Sequence, residues 1–262
     1  SSSHRFDTMR DHNLVYFLVA ALASIFWVPP AAAEDVFWTG PSSGDWLTAS
    51  NWSNNQIPQP SDNVTIDGAQ VTFVGDFTIE GSLTLSGNAI LTISGSSSVF
   101  LANGPTFIDD SRLVVSDDGQ ASFPTVTTYT WGQCGGDTLF AADGADSLLS
   151  LPNLQSINLA APECFAIPLV QATNGGTLNL PALEGFSVTS SSKLMFNLTG
   201  SGEMDLSALE IANSAVFQVD ATSSLDLPAL VSAANGSMAV ADGGGLTAAN
   251  LATIENVTIS AT

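Results

Sequence analysis

Four carboxylates are the side chains of this chain best suited to chemistry. Asp109-Asp110 and Asp117-Asp118 flank the short apolar run Leu113 to Val115. Glycoside hydrolysis needs such a pair, about 5 Å apart in retaining enzymes and about 6.5–9.5 Å apart in inverting ones. The same residues have a plainer reading, because Asp-Asp and Asp-Gly between strands are ordinary turn formers. Turns are the expectation; hydrolysis of a polysaccharide, with Asp109, Asp110, Asp117 or Asp118 as acid and base, is the runner-up.

Other catalysts are excluded by what the chain lacks. Both histidines, His4 and His12, lie before Glu34. From Glu34 onward no Ser-His-Asp or Cys-His arrangement can form. Zinc sites containing His are excluded too, and two cysteines cannot supply four thiolates. No phosphate-binding loop or dinucleotide fingerprint is present. A lyase base would have to be Arg112 or Lys193, the two basic residues that follow Glu34, which lie several turns apart in sequence. The expectation is therefore a protein without a catalytic residue and without a cofactor. Calcium is the alternative on the cofactor side. Turns such as Asp117-Asp118-Gly119 and Asp143-Gly144-Ala145-Asp146 offer oxygens, with Asp143 and Asp146 as candidates. Calcium takes six to eight such oxygens.

The formal net charge is −21. Such a chain is repelled by nucleic acid and by anionic membranes, and it lacks the Lys/Arg footprint for phosphate contacts. The expected partner is an extracellular polysaccharide or another surface ligand, with no nucleic acid and no membrane insertion of the mature chain. Residues 1–33 read as a leader and signal peptide. A polar start, Met9 to Asn13, precedes the uncharged apolar run Leu14 to Val28, and Pro29-Pro30-Ala31-Ala32-Ala33 supplies a small-residue cleavage site. The expectation is export, to the medium or the cell surface. Export favours a disulfide between Cys134 and Cys164. Their separation along the chain is close to the local repeat, so the bond would staple neighbouring turns.

The elements that must position these residues repeat. Met204-Asp205-Leu206-Ser207-Ala208-Leu209 recurs 21 residues on as Leu225-Asp226-Leu227-Pro228-Ala229-Leu230, and again as Leu246 to Leu251. Phe196, Phe217, Met238 and Ile259 keep the same step and are read as one core ladder. A fixed period of this size means stacked units that bury their apolar sides on one another. The element runs backward through Leu178 to Leu183, Leu149 to Leu154 and Ala121 to Val126, at steps of 26, 29 and 28. The longer steps predict loops protruding between Val126 and Ser192. Closer to the start, Leu83/Leu85, Leu91/Ile93 and Val99/Leu101 are eight apart and read as inward pairs of three half-buried strands. β-branched residues, Ser, Thr, Asn and Gly dominate over helix formers. Proline after the second Leu of each element fits a corner, not a mid-strand position. The fold class predicted is all-β: a right-handed parallel β-helix of about eight turns with an N-terminal aromatic cap. A leucine-rich-repeat horseshoe is the alternative.

The cap contains Trp38, Trp46 and Trp52. Large aromatics there would plug the apolar end of the coil; exposed, they would stack on sugars. A carbohydrate-binding module using Trp46 or Trp131 is thus a third functional reading. Phe37-Trp38-Thr39-Gly40, Gly44-Asp45-Trp46, Ala49-Ser50-Asn51-Trp52, Pro58 and Asp62-Asn63-Val64-Thr65-Ile66 resemble the opening segment of large bacterial β-helix proteins of the adhesin and autotransporter-passenger kind. The resemblance runs from Phe37 to Ile66; beyond it only a repetitive texture is shared. It implies an exported β-helix at a cell surface and carries over no catalytic residue. The chain ends within a repeat, which leads us to expect a longer natural protein or a fragment. The organisation expected is 1–33 leader and signal peptide, 34–70 Trp-rich cap, and 71–262 β-helix, forming a structural or adhesive surface module.

Overall fold

The computed structural model describes residues 32–160, 167–189 and 192–261. The segment expected to be a leader and signal peptide, residues 1–33, therefore lies outside the described residues apart from its last two positions. Residues 33–262 form one unit. Among the described residues it is all-β apart from one short 3₁₀ turn, Ala49–Asn51, and every strand pairing is parallel, the isolated Trp38–Trp52 bridge alone being antiparallel. Among the described residues no helix is long and apolar enough to cross a membrane.

The chain winds through three faces in every circuit. In the third circuit Leu83–Ser86, Ile90–Ser94 and Val99–Ala102 each join a different sheet. The strand spacing of eight is therefore one side of a three-sided coil. The longest face is ten strands deep, running from Ser43–Asp45 to Thr258–Ala261. The face that follows it carries the Leu-x-Leu element. The face that precedes it is split, four strands from Asp35–Phe37 to Thr106–Phe107 and six from Thr128–Trp131 to Thr253–Glu255. The coil has about nine turns, one more than the repeat length suggests, because strands of the Trp-rich segment already pair in parallel with the next turn. Asp35 faces Asn63, and Ser43 faces Gln70.

Register stacks like on like. On the long face Val71, Leu91, Leu113, Phe140, Val170, Phe196, Phe217 and Met238 follow one another as direct partners, all buried. The Phe196 and Phe217 rings stack at 5.2 Å with planes 14° apart. Ile259 partners Met238 in the same ladder, but it is 64% exposed. The column is as expected, and Ile259 in it faces solvent. One phase is corrected. Val99 is exposed and Leu101 half-exposed, while Phe100 and Ala102 point inward. Phe100 fills the interior against Trp46, Phe73 and Phe123 at centroid distances of 5.4, 5.4 and 6.0 Å. The larger aromatic outcompetes its neighbours for the core.

The corners explain the proline. In Leu151-Pro152-Asn153-Leu154 the Leu154 N–H donates to the Leu151 carbonyl at 3.2 Å, and Leu183, Leu209, Leu230 and Leu251 repeat that bond to the residue three before. Proline sits second in a β-turn, where its fixed φ fits and its missing N–H costs nothing. At another corner, Gly81 and Gly104 stack so closely that a Cβ on Gly104 would collide with the Gly81 carbonyl. Asp220 holds a third: its carboxylate accepts from the Gly200 N–H at 2.6 Å and the Thr222 N–H at 3.0 Å. Those donors, Gly200 foremost, lower its pKa from 3.8 to about 2.

Two outcomes follow for stability. Phe196→Ala removes a fully buried ring and is expected to cost roughly 3–5 kcal/mol in chemical denaturation, whereas Ile259→Ala at an exposed position costs under about 1 kcal/mol. A carboxylate whose folded pKa is depressed stabilises the fold above its ordinary pKa and loses that contribution as pH falls through the folded value. Asp220→Ala should therefore be less stable than the parent at pH 7, with the difference shrinking between about pH 4 and pH 2; an NMR carboxyl titration of Asp220 with a midpoint near 4 would contradict this.

Candidate functional site

Three consecutive circuits have their longest strand-to-strand connections at the same corner, between the face that begins at Thr128–Trp131 and the long face. The connections are 132–137, 160–168 and 189–193. Their described parts are 132–137, 160, 167–168, 189 and 192–193. In the circuits above, the same corner shrinks to Ser214, then Asn235-Gly236, then Asn256-Val257. The long steps between Val126 and Ser192 thus fall in connections at one corner; whether they protrude, as expected, lies outside the described residues for 161–166 and 190–191.

Beneath the first loop lies the polar group richest in charge. Arg112 Nη1 donates to Asp137 Oδ1 at 3.0 Å, with both side chains part-buried. Tyr129 is buried and donates its hydroxyl to the Ser111 carbonyl at 2.8 Å. Burial first, and then the neighbouring Asp110 and Asp109 carboxylates, push its pKa far above the usual phenol value. It stays a protonated donor and serves as a tie between strands. Lys193 directly precedes the strand Leu194–Thr199, three rungs above the strand of Arg112. At about 4.8 Å per rung the two cations are roughly 14 Å apart, so they share no site.

The four predicted carboxylates are turn residues here. Asp109 accepts from the Thr130 N–H at 2.7 Å, and Asp110 from the Gly132 N–H at 2.5 Å. Asp117 accepts from the Ser94 hydroxyl at 2.6 Å, and the Asp118 N–H donates to Ser147 Oγ at 3.1 Å. Asp110, Asp117 and Asp118 have φ of 53°, 53° and 65°, the left-handed region that Asp and Asn enter most readily among non-glycines. The two pairs sit at opposite ends of the strand Arg112–Ser116. At about 3.3 Å per residue that separates Asp110 from Asp117 by roughly 20 Å, outside either hydrolase spacing. The structure brings together the members of each pair, not the pairs.

Of the calcium candidates, the Asp143 carboxylate accepts from the Thr173 hydroxyl at 2.6 Å and the Asn174 amide at 2.8 Å, and Asp146 occupies a turn with φ of 61°. Among the described residues no three His, Cys, Asp or Glu side chains group as metal ligands. Cys134 lies in the first loop and Cys164 falls outside the described residues, so the predicted disulfide belongs with the proposals below.

The tryptophans settle as a plug. Trp46 and Trp52 are fully buried, their rings 4.9 Å apart, and Trp52 Nε1 donates to the Trp46 carbonyl at 2.7 Å. Trp38 packs edge-on against Trp52 at 5.1 Å. Trp131 is also buried. A sugar platform on Trp46 or Trp131 is thereby ruled out: both indoles are needed inside, where they fill the first circuits and the loop corner. The outward aromatics are instead Phe37 and Phe107, which the sequence patterns did not single out. Their signal was present, since each sits out of phase with its inward neighbours Val36 and Ile108.

Compared with protein-family models, curated proteins and solved structures, the chain shows no match.

The turn reading makes Asp110 a structural acceptor. Asp110→Ala is expected to lower stability by roughly 2 kcal/mol through the lost charge-assisted bond. Asp110→Asn, which keeps an acceptor oxygen and tolerates the left-handed φ, should stay within about 1 kcal/mol. Equal losses in urea denaturation would contradict this.

Proposed function

We propose that the chain is an exported structural or adhesive module of the cell surface or medium, without catalytic activity, related in kind to bacterial adhesins and autotransporter passengers. The observation that supports this reading is the lengthening of the connections on three successive rungs at one corner. Extra chain inserted along a single edge of a solenoid is where such folds carry binding. The packed interior of the coil makes a stiff carrier for these connections. The acidic exterior suits solubility outside the cell and disfavours nucleic acid as a partner. The Cys134–Cys164 bond, formed on export, would tie the first two loop connections together; no cofactor is part of this reading, and calcium at Asp143 and Asp146, at the other end of the strand Thr138–Asp143, would only stiffen that corner.

Two measurements test it together. Immunolabelling of intact producing cells and their medium should find the protein outside, its N-terminus beginning at Glu34. Incubation with a panel of polysaccharides should release no reducing ends. Turnover that disappears in Asp109→Asn or Asp117→Asn would replace this reading with a polysaccharide hydrolase on the same coil.

A further inference from the structure

We propose that the outward face of the four-stranded sheet near the N-terminus binds an extended, neutral β-1,4-linked polysaccharide chain laid along the coil axis. The proposal names a partner for an adhesive module but rests on a surface separate from the loop corner.

The face is built from one outward column. Phe37 pairs with Thr65, Thr65 with Thr84, and Thr84 with Phe107. Phe37 is 49% exposed and Phe107 61% exposed, while the two threonines are half-buried between them. Exposing two phenyl rings has a cost that packing could have avoided, since the inward positions of the same strands hold Val36, Val64, Leu83 and Leu85 in full burial. Three rungs at about 4.8 Å set the rings roughly 14 Å apart.

That geometry selects a ligand. Pyranose rings in an extended β-1,4-linked chain repeat at nearly the step of strands in a sheet. One sugar would then lie over each rung, with the apolar faces of two sugars three units apart resting on Phe37 and Phe107. Between them the Thr65 and Thr84 hydroxyls have no hydrogen-bond partner among the described residues and are free to pair with sugar hydroxyls. Fixed polar groups flank the column. On one side Asn63 donates to Asp35 at 2.9 Å and Ser82 donates to Asn63 at 2.9 Å. On the other Ser86 donates to Asp67 at 2.7 Å. Their remaining lone pairs accept from sugar hydroxyls without reorganising. Charge decides between glycans: the flanking carboxylates Asp35 and Asp67 and the net charge of −21 repel a polyuronate and leave a neutral chain as the occupant.

Affinity electrophoresis tests the site, with the protein run through gels containing hydroxyethyl cellulose, glucomannan, xylan or carboxymethyl cellulose. Retardation is expected in at least one neutral gel and not in carboxymethyl cellulose. Phe37→Ala and Phe107→Ala should each weaken it roughly 5–10-fold, and the double variant should run as in an empty gel. Because both rings face solvent, circular dichroism and melting of the variants should match the parent. By calorimetry, cellohexaose, long enough to reach both rings, should bind the parent more tightly than cellobiose, and that advantage should vanish in either single variant. No retardation in any neutral gel, or equal retardation of parent and double variant, overturns the proposal. So does a double variant whose only change is lost self-association in sedimentation, which would make the face a contact between copies. Turnover dependent on Asp109 would overturn the non-catalytic reading and leave this site standing, so the two failures are distinguishable.

Discussion

Parallel register is the constraint on which everything else in this molecule depends. Each strand donates to and accepts from the equivalent strand of the next circuit, so its backbone polar groups are satisfied only while successive circuits stay in step. A slip of one residue would turn every inward side chain outward. The same pairing sets Phe196 on Phe217 and Phe217 on Met238, so hydrogen bonding and apolar burial reinforce one another along each column. Ile259, in register with Met238 but solvent-exposed, shows that pairing alone does not bury a side chain.

The corners absorb what the strands cannot. Chain direction changes by a third of a circuit in a few residues, which left-handed Asp and Asn, stacked glycines and the Leu-Pro turns accomplish by different means. Much of the acidic charge is used there. Asp109, Asp110, Asp143 and Asp220 each accept bonds from the adjoining circuit, so these carboxylates fasten one turn to the next. Distributing them along an elongated exterior spreads repulsion that a compact core would concentrate.

A coil closed in this way leaves its outside free to vary. Insertion at one corner lengthens a circuit without disturbing the columns. The chain takes a longer path from Leu113 to Phe140 and from Phe140 to Val170 than from Phe196 to Phe217, yet each pair meets in register. Outward positions on the flat faces are equally unconstrained by the core. An exposed aromatic there, such as Phe107, contributes little to the coil that holds it.

The period, the strand texture and the alternation were legible in the residues themselves. Parallel stacking follows from a repeat too short to bury its own apolar side, and the ladder from Phe196 to Ile259 follows from an unbroken, constant step. The Trp segment was also readable as a plug, because three large rings at the start of a coil have an apolar end to cover. What tertiary structure alone decided is the registration of circuits whose lengths differ. In the first half the steps vary, so nothing local indicated that Phe37 and Phe107 would share a column or that Phe100 would displace Val99 and Leu101 from the core. The partners of the aspartates were likewise visible only in three dimensions. An Asp-Asp turn does not say in sequence which amide of the next rung its carboxylate meets; the stacked neighbour decides that.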